Sequence, residues 1–304
     1  MANFIAIGIF TGFIYAMLAL GYTLVYGVLR LINFAHSEVM MSGAFASYFL
    51  FRVTISDVTP PNGIVSVWWI LAGIALSGVV GSIIAILLER FAYRPLRRRN
   101  APALTYLITA IGASYFLQFF AGKEFGYYQE SVNPPFSNNI VWSPFGAQIT
   151  TYDILVGIVA IVLMLFLDAV VNRTKMGRGI RALAQDQPTA SLMGVNVNRT
   201  ISQTFALGGF LGGAAGFLFA LQNGVSFSMG FQPGLLAFTA AVLGGIGNIR
   251  GAVLGGLTLG LVETVPLYWL QDVWLQPVIG FVVLVLVLLF RPTGILGENL
   301  GRTA

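Results

Sequence analysis

Five polar or ionisable side chains could do chemistry within the apolar stretches of this 304-residue sequence: Asn33, His36, Glu38, Asn248 and Glu263. An ionisable side chain inside a membrane segment is costly, and it usually faces protein or a water-filled cavity. We therefore expect these five residues to line or gate a path through the protein. Two alternatives stay open: Glu38 is hydrated at a membrane interface, and Glu263 is paired within the protein.

Other kinds of site are not expected. The chain has no cysteine and one histidine, so neither disulfide nor Cys-ligated metal chemistry is available and a His-based metal site is not expected. No catalytic residues are predicted. The glycine-rich run 244–248 lacks the lysine and the Ser or Thr of a phosphate-binding loop. We therefore expect no bound cofactor and no ATP hydrolysis by this chain, and we interpret Gly244–Asn248 as a break between two helices.

The composition indicates a membrane protein. Hydrophobic residues make up 57% of the chain and charged residues 9%, with mean hydropathy +0.84. Soluble chains carry about 25% charged residues. The sequence predicts an all-α polytopic protein that forms one transmembrane domain over 1–304, with eight or nine crossings. The predicted spans are 4–28, a second stretch beginning near 33, 67–88, 102–120, 152–171, 201–221, 232–245, 252–270 and 276–290.

Charge predicts the orientation of these spans. The loops 89–100 and 172–199 are rich in Lys and Arg, whereas the segments 53–65 and 122–151 are poor in them. Because Lys and Arg concentrate in cytoplasmic loops, we expect the N-terminus outside and the C-terminus in the cytoplasm. The net charge of +5 is explained by these loops and does not indicate nucleic-acid binding.

The 172–199 loop is the longer of the two basic loops, and its sequence predicts a short amphipathic helix over 180–194. Gly194 would end this helix in the left-handed conformation that glycine adopts cheaply. Such a helix, held at the membrane surface, fits a groove on a soluble partner. The alternative is a connector that only carries the orientation signal.

Two parts of the chain share a glycine pattern. Residues 4–46 and 205–247 match when Gly8, Gly12 and Gly43 are aligned with Gly209, Gly213 and Gly244. With the predicted orientation, the first helices of the two parts run in opposite directions, so the pattern predicts an inverted repeat.

Several strings resemble the high-affinity branched-chain amino acid permeases of bacterial ABC importers. They are INFAHSE at 32–38, ERFAYRPLR at 89–97, ASLMGVN at 190–196, TAAVLGGIGNIRGAVLGG at 239–256 and PTGILG at 292–297. The resemblance extends from the first span to the C-terminal tail. The chain departs from the family at Ser37, where a Gly is usual, at Gln185, where an acid is frequent, and at Arg250, where Pro is frequent.

The resemblance implies a multi-pass permease subunit of the bacterial inner membrane. Its partners would be a second related permease, two cytoplasmic ATP-binding subunits that use ATP, and an extracytoplasmic substrate-binding protein. The substrate would be branched-chain or other neutral amino acids, with urea or short amides as the alternative. The residues that the resemblance places in contact with the ATPase are Arg181, Ala182, Ala184, Asp186, Ala190 and Gly194.

An ion-coupled secondary transporter or a channel is the alternative from another class of protein. Ion coupling would require intramembrane acids, and only Glu38 and Glu263 are candidates.

Overall fold

The computed structural model describes residues 1–54, 64–291 and 293–296, and within them the protein is a bundle of helices. Most of the predicted outer segment 53–65 lies outside the described residues. The helices in chain order are α1 Ala2–Leu29, α2 His36–Thr54, α3 Ile64–Leu88, α4 Arg94–Arg98, α5 Ala103–Phe125, α6 Thr151–Arg173, α7 Lys175–Gln185, α8 Gln187–Leu192, α9 Val197–Asn223, α10 Phe231–Gly244, α11 Ile249–Thr264, α12 Leu267–Leu270 and α13 Gln276–Phe290.

Among the described residues, six helical segments are long and apolar enough to cross a membrane. They are Ala2–Leu29, Val65–Arg98, Ala103–Phe125, Thr151–Arg173, Val197–Asn223 and Ile249–Leu270. Helices α2, α10 and α13 have 19, 14 and 15 residues. A straight crossing needs about 20 residues. The all-α polytopic class is therefore confirmed and each predicted span contains a helix, but two of the helices are short for a full crossing.

One small element was not predicted. In the segment between α5 and α6, strand β1 Ile140–Trp142 pairs antiparallel with β2 Ile149–Thr150. The second strand leads directly into α6, where the Thr150 side chain and Asp153 form a capping box. This arrangement satisfies the first backbone N–H groups of α6, which have no partner inside the helix.

Small residues hold the centre of the bundle together in two matching pairs of helices. Gly8 and Gly12 of α1 pack against the backbone of α11, and Gly209 and Gly213 of α9 pack against the backbone of α3. A Cβ added to Gly256 of α11 would lie 2.5 Å from the Ala16 Cα atom, so the backbones are in direct contact there. Small residues permit this close approach.

Two of the three glycine pairs of the predicted repeat have matching environments, while the inverted repeat itself stays a prediction. Helix α1 packs most extensively on α11, and α9 on α3, so each half of the chain supplies the partner of the other half's first helix. The match does not extend to the third pair. Gly43 lies mid-helix in α2 against Gly213, whereas Gly244 is the last residue of α10 and lies against Gly251.

The contacts between helices define two ends of the bundle. Val28 and Tyr93 share one apolar cluster with Ile180 and Ala190 of the 172–199 loop. The break between α10 and α11 lies at the same end, because Ile246 borders a small cavity with Tyr26. We call this the basic end, since it carries both arginine-rich loops.

The opposite end is formed by the start of α1, the segment 127–153 and the C-terminus of α9. Gln148 N donates to Asn3 Oδ1 at 2.9 Å, and Glu130 pairs with Val225 through backbone hydrogen bonds. Within the described residues, this end has few basic side chains.

Candidate functional site

Glu38 lies in the first turn of α2 and has no exposed surface. Its Oε1 atom accepts hydrogen bonds from Ser37 Oγ at 3.3 Å and from Ser114 Oγ of α5 at 3.1 Å. Its Oε2 atom has no hydrogen-bond partner in the described part of the chain and lies toward Gly230. Glu38 is therefore buried within the described chain rather than exposed, and one of its carboxylate oxygens accepts no hydrogen bond there.

His36 begins α2 and is also buried, at 1% exposure. Its imidazole is inserted between Gly21 of α1 and Gly212 of α9, and its ring lies 4.8 Å from that of Tyr22. Nε2 has no hydrogen-bond partner among the described residues. Because only glycines leave room for this ring, the His36 side chain fills the space between α1 and α9.

Asn33 lies between α1 and α2 and is 4% exposed. Its Oδ1 atom accepts a hydrogen bond of 2.6 Å from the hydroxyl of Tyr93, which follows α3. Asn33, His36 and Glu38 thus form one polar segment at the break between two helices.

Glu263 is the second buried carboxylate, and it lies in α11 with no exposed surface. Its Oε2 atom accepts from Tyr15 Oη at 3.0 Å and from Gln276 Nε2 at 3.4 Å. Its Oε1 atom lies against Gly280 of α13 and is unpartnered within the described ranges. Glu263 is therefore hydrogen-bonded inside the protein, without a cation beside it in the part of the chain described.

Asn248 has a different environment. Its side chain caps α11 by accepting from Gly251 N at 3.1 Å, and Nδ2 donates to the Leu296 backbone oxygen at 3.0 Å. The predicted break is confirmed, because α10 ends at Gly244 and α11 begins at Ile249. The amide of Asn248 is fully engaged in holding this break and the C-terminal segment together.

The 172–199 loop differs from the single helix predicted over 180–194. It contains two helices, α7 and α8, separated at Asp186, whose backbone is extended with φ −153° and ψ 114°. Pro188 causes the break: in a continuous helix its ring would clash with the carbonyl of Ala184 and it has no N–H to donate. Both helices are fixed to the bundle, for example by Gln187 Nε2, which donates to the Val28 oxygen at 2.7 Å.

The expected contact residues of this loop are only partly at the surface. Ala182 and Ala184 are half-buried, Asp186 is exposed, and Arg181 Nη1 is bonded to the Val171 oxygen and to Asn172 Oδ1. Ala190 is 4% exposed and packs in the apolar cluster of the basic end, so in this chain it does not lie at the surface as expected, and its contact with a partner stays a prediction. In the single predicted helix Ala190 would face outward. The bend at Asp186 turns it toward the bundle instead.

Two large apolar residues, Leu192 and Met193, occupy the exposed position instead. They are 87% and 81% exposed at the end of α8. Gly194 follows with φ +85°, which confirms the predicted left-handed conformation. The N–H of Gly194 bonds to the Ser191 oxygen and that of Val195 to the Ala190 oxygen, the pattern of a Schellman cap.

Leu192 and Met193 were missed in the sequence. The available signal was two adjacent large apolar residues inside an otherwise polar loop, immediately before a glycine. Ser114, Tyr15 and Tyr93 were also missed as partners of the polar residues, since no local pattern links them to Glu38, Glu263 or Asn33.

Residues 4–288 match the family model described as branched-chain amino acid transport system / permease component. The chain is 40% identical over 298 residues to the high-affinity branched-chain amino acid transport system permease protein LivH of Escherichia coli K12, covering 96% of this chain and 94% of that protein. It is 41% identical over 295 residues to the corresponding protein BraD of Pseudomonas aeruginosa, with the same two coverages.

A solved structure shares the fold at low sequence identity. PsaBC from Streptococcus pneumoniae in complex with Fab superposes with a TM-score of 0.50 at 11% identity, over 96% of this chain and 93% of that one. The identity over nearly the whole length to LivH and BraD, together with the family match, shows that the chain belongs to the branched-chain amino acid transport system permease family.

Proposed function

We propose that this chain is the membrane-spanning permease of an ATP-driven importer of branched-chain amino acids and that it forms the translocation path. The similarity to LivH and BraD, which are branched-chain amino acid transport permeases, supports the substrate class. The observation that carries the coupling to ATP is the position of Leu192 and Met193, which project from a loop that is otherwise fastened to the bundle.

The chain is a multi-pass protein of the inner membrane, and we place its basic end in the cytoplasm because arginines and lysines cluster there. This orientation puts the start of α1 outside and the C-terminus inside. The partners that we propose are a second related permease, two ATP-binding subunits at the basic end and a substrate-binding protein at the opposite end. In this assembly the partner subunits hydrolyse ATP, and this chain is not an enzyme.

Leu192 and Met193 are suited to transmit force to and from an ATPase subunit. A pair of exposed apolar side chains can fill a groove on a soluble partner and lose contact with water there. The end of α8 that carries them is held firmly, because Ala190 is packed in the apolar cluster and the Schellman cap fixes the chain direction. Displacement of these side chains would therefore move α8 and the helices on which it packs.

The buried acids Glu38 and Glu263 are the proposed polar groups of the path. An amino acid crosses as a zwitterion, and its ammonium group needs an acceptor away from water. Each carboxylate has one oxygen without a hydrogen-bond partner in the described chain, which makes it available for that role. Urea or a short amide, the alternative substrates, would use the same acceptors without needing the charge.

The test changes the exposed pair of the loop. In the double variant Leu192→Ser/Met193→Ser, we expect the ATPase subunits no longer to co-purify with the detergent-extracted permease, and ATP-driven leucine uptake to be lost. The matched control is Ile295→Ser/Leu296→Ser, because these residues are also exposed apolar neighbours at the basic end, at 45% and 40%. Normal co-purification and uptake in the loop variant would show that the loop is only a connector.

Ala190→Trp is unsuitable for this test, because a bulky side chain there would disturb the cluster formed by the chain itself. Gly194→Val is a useful second variant. A Cβ in the left-handed conformation costs about 1 kcal/mol or more, and this would misdirect α8 while the spans remain unchanged.

A further inference from the structure

A π-helical turn, Glu89–Tyr93, follows α3 directly at the basic end. Its closing hydrogen bond runs from the N–H of Arg94 to the Glu89 oxygen, five residues back. Single π-helical turns are rare within α-helices and occur frequently at functional sites. Both ends of this turn carry a buried side chain that contacts another part of the bundle.

The first end of the turn is fastened to α9. Glu89 has no exposed side-chain surface and forms salt bridges with Arg94 at 2.6 Å and with Arg97 at 3.1 Å. Ser202 of α9 donates to Glu89 Oε2 at 2.8 Å and accepts from Arg94 at 2.7 Å. Arg97 also donates to Asn198 Oδ1 at 2.7 Å. Asn198 and Ser202 lie in the first two turns of α9, where the 172–199 loop ends.

The second end of the turn is fastened to the polar segment at the start of α2. Tyr93 is 2% exposed, and its ring packs against Phe205 of α9 and Tyr106 of α5. Its hydroxyl donates to Asn33 Oδ1 at 2.6 Å. Asn33 is five residues before Glu38 in the chain.

These contacts form a continuous series. It runs from the base of α9 through Ser202 and the arginines to Glu89, along the π-helical turn to Tyr93, and from Tyr93 to Asn33. We propose that Glu89 and Tyr93 are positioning residues for transport: through this series, movement of the 172–199 loop sets the position of the polar segment that contains Glu38. This inference rests on the proposed function, because it requires the loop to move with an ATPase.

The physical reason is that each contact of the series is a short hydrogen bond or salt bridge, buried at Glu89 and Tyr93 and exposed at Asn198. Charge-assisted hydrogen bonds are about twice as strong as neutral ones. A rotation of the base of α9 therefore carries Glu89 with it more easily than it breaks the cluster. The π-helical turn closes its hydrogen bond over five residues instead of the four of an α-helix, so Glu89 and Tyr93 are held at the two ends of one turn.

The experiment uses the complete importer, reconstituted in lipid vesicles with its ATPases and a leucine-loaded binding protein. Three variants are compared: Tyr93→Phe, Asn198→Ala/Ser202→Ala, and the combination of all three changes. The readout is leucine taken up per ATP hydrolysed, measured beside ATPase co-purification and thermal stability. Tyr152→Phe is the matched control, because Tyr152 is 5% exposed and its hydroxyl donates to the Leu218 oxygen at 2.8 Å outside the series.

If the series transmits movement, we expect uptake per ATP to fall about fivefold, the factor that one lost buried hydrogen bond represents. Because the contacts lie in series, the triple variant should take up no less leucine per ATP than either of the other two variants. ATPase co-purification should be normal in all variants. The uptake per ATP of Tyr152→Phe should equal that of the unmodified importer. Tyr93→Phe keeps the ring and its packing, so the protein should fold.

An unchanged ratio in Tyr93→Phe would overturn the proposal. So would losses that add in the triple variant, or a loss of thermal stability with the ratio intact, because both indicate a purely structural contact. Failure of the proposed function would look different: Leu192→Ser/Met193→Ser would then leave ATPase binding unaffected.

Discussion

Three carboxylates, Glu38, Glu89 and Glu263, have no exposed surface, but they are buried in two different ways. Glu89, at the basic end, is neutralised by Arg94 and Arg97 and bonded to Ser202. Glu38 and Glu263, inside the bundle, accept hydrogen bonds only from neutral groups, and each keeps one unpartnered oxygen in the described chain.

The comparison separates two uses of a buried acid. A carboxylate between two arginines joins segments and is costly to remove, because it leaves the cations uncompensated. A carboxylate without a cation contributes little to holding helices together, and its unpartnered oxygen is costly to bury. We infer that Glu89 joins segments of the basic end, whereas Glu38 and Glu263 are retained for what they bind.

The largest expected effect is on stability and comes from Glu89→Leu. Removing the acid leaves two arginines facing each other beside Ser202, and breaking a buried pair costs about 3–5 kcal/mol. The arginine side chains are 22% and 19% exposed, so water reaches them and we expect about 3 kcal/mol, the lower limit. Denaturant unfolding of the detergent-extracted protein measures the change.

The control for this variant is Glu124→Leu, an exposed acid at the opposite end. Its effect should be small, since exposed charges contribute little to stability. If Glu89→Leu destabilised the protein no more than Glu124→Leu does, the distinction between the paired and the unpaired acids would fail.

Glu38→Gln and Glu263→Gln should reduce transport strongly and stability only slightly, in contrast to Glu89→Leu. Glutamine keeps the shape and one acceptor oxygen but removes the charge that would receive an ammonium group. We expect leucine uptake by the reconstituted importer to fall about tenfold, equivalent to about 1.4 kcal/mol. The free energy of unfolding should change by about 1 kcal/mol or less. Wild-type uptake in both variants would identify the two acids as structural.

Tyr15→Phe should have the smallest effect. It removes one of the two donors to Glu263 and keeps the aromatic ring, and a neutral hydrogen bond contributes about 1 kcal/mol. Gln276 remains as a donor to the same oxygen. A loss near that of Glu89→Leu, measured by the same unfolding assay, would mean that the Glu263 site stabilises the bundle as strongly as the arginine cluster does.

The sequence predicted the elements better than their contacts. Apolar runs between charged loops place every span, and the glycine at 194 predicts its own left-handed backbone. The sequence does not show in the same way which side of each helix packs against its neighbours. Helices that are apolar on all sides have no polar face to orient them, so the partners of Glu38 and Glu263 could not be assigned.

Long separation along the chain also prevented the contacts of the candidate site from being predicted. Tyr15 and Glu263 are 248 residues apart, and Tyr93 and Asn33 are 60 apart. The unexpected burial of Ala190 has both a local and a tertiary origin. A proline after Gln187 signalled a break, but the burial of Ala190 depends on how α8 turns back onto α1, which is a tertiary contact.

The pairing of α1 with α11 also determines when the protein can finish folding during synthesis. Helix α1 leaves the ribosome long before α11, because the glycine surface that receives it begins only at Ile249. Helix α3 is likewise made before its main partner, α9. The nascent chain must therefore keep these small-residue surfaces in lipid or against an insertion factor until the later helices have been made. A chain that stops before α11 leaves α1 without its main partner, and quality-control proteases of the membrane would be expected to degrade it.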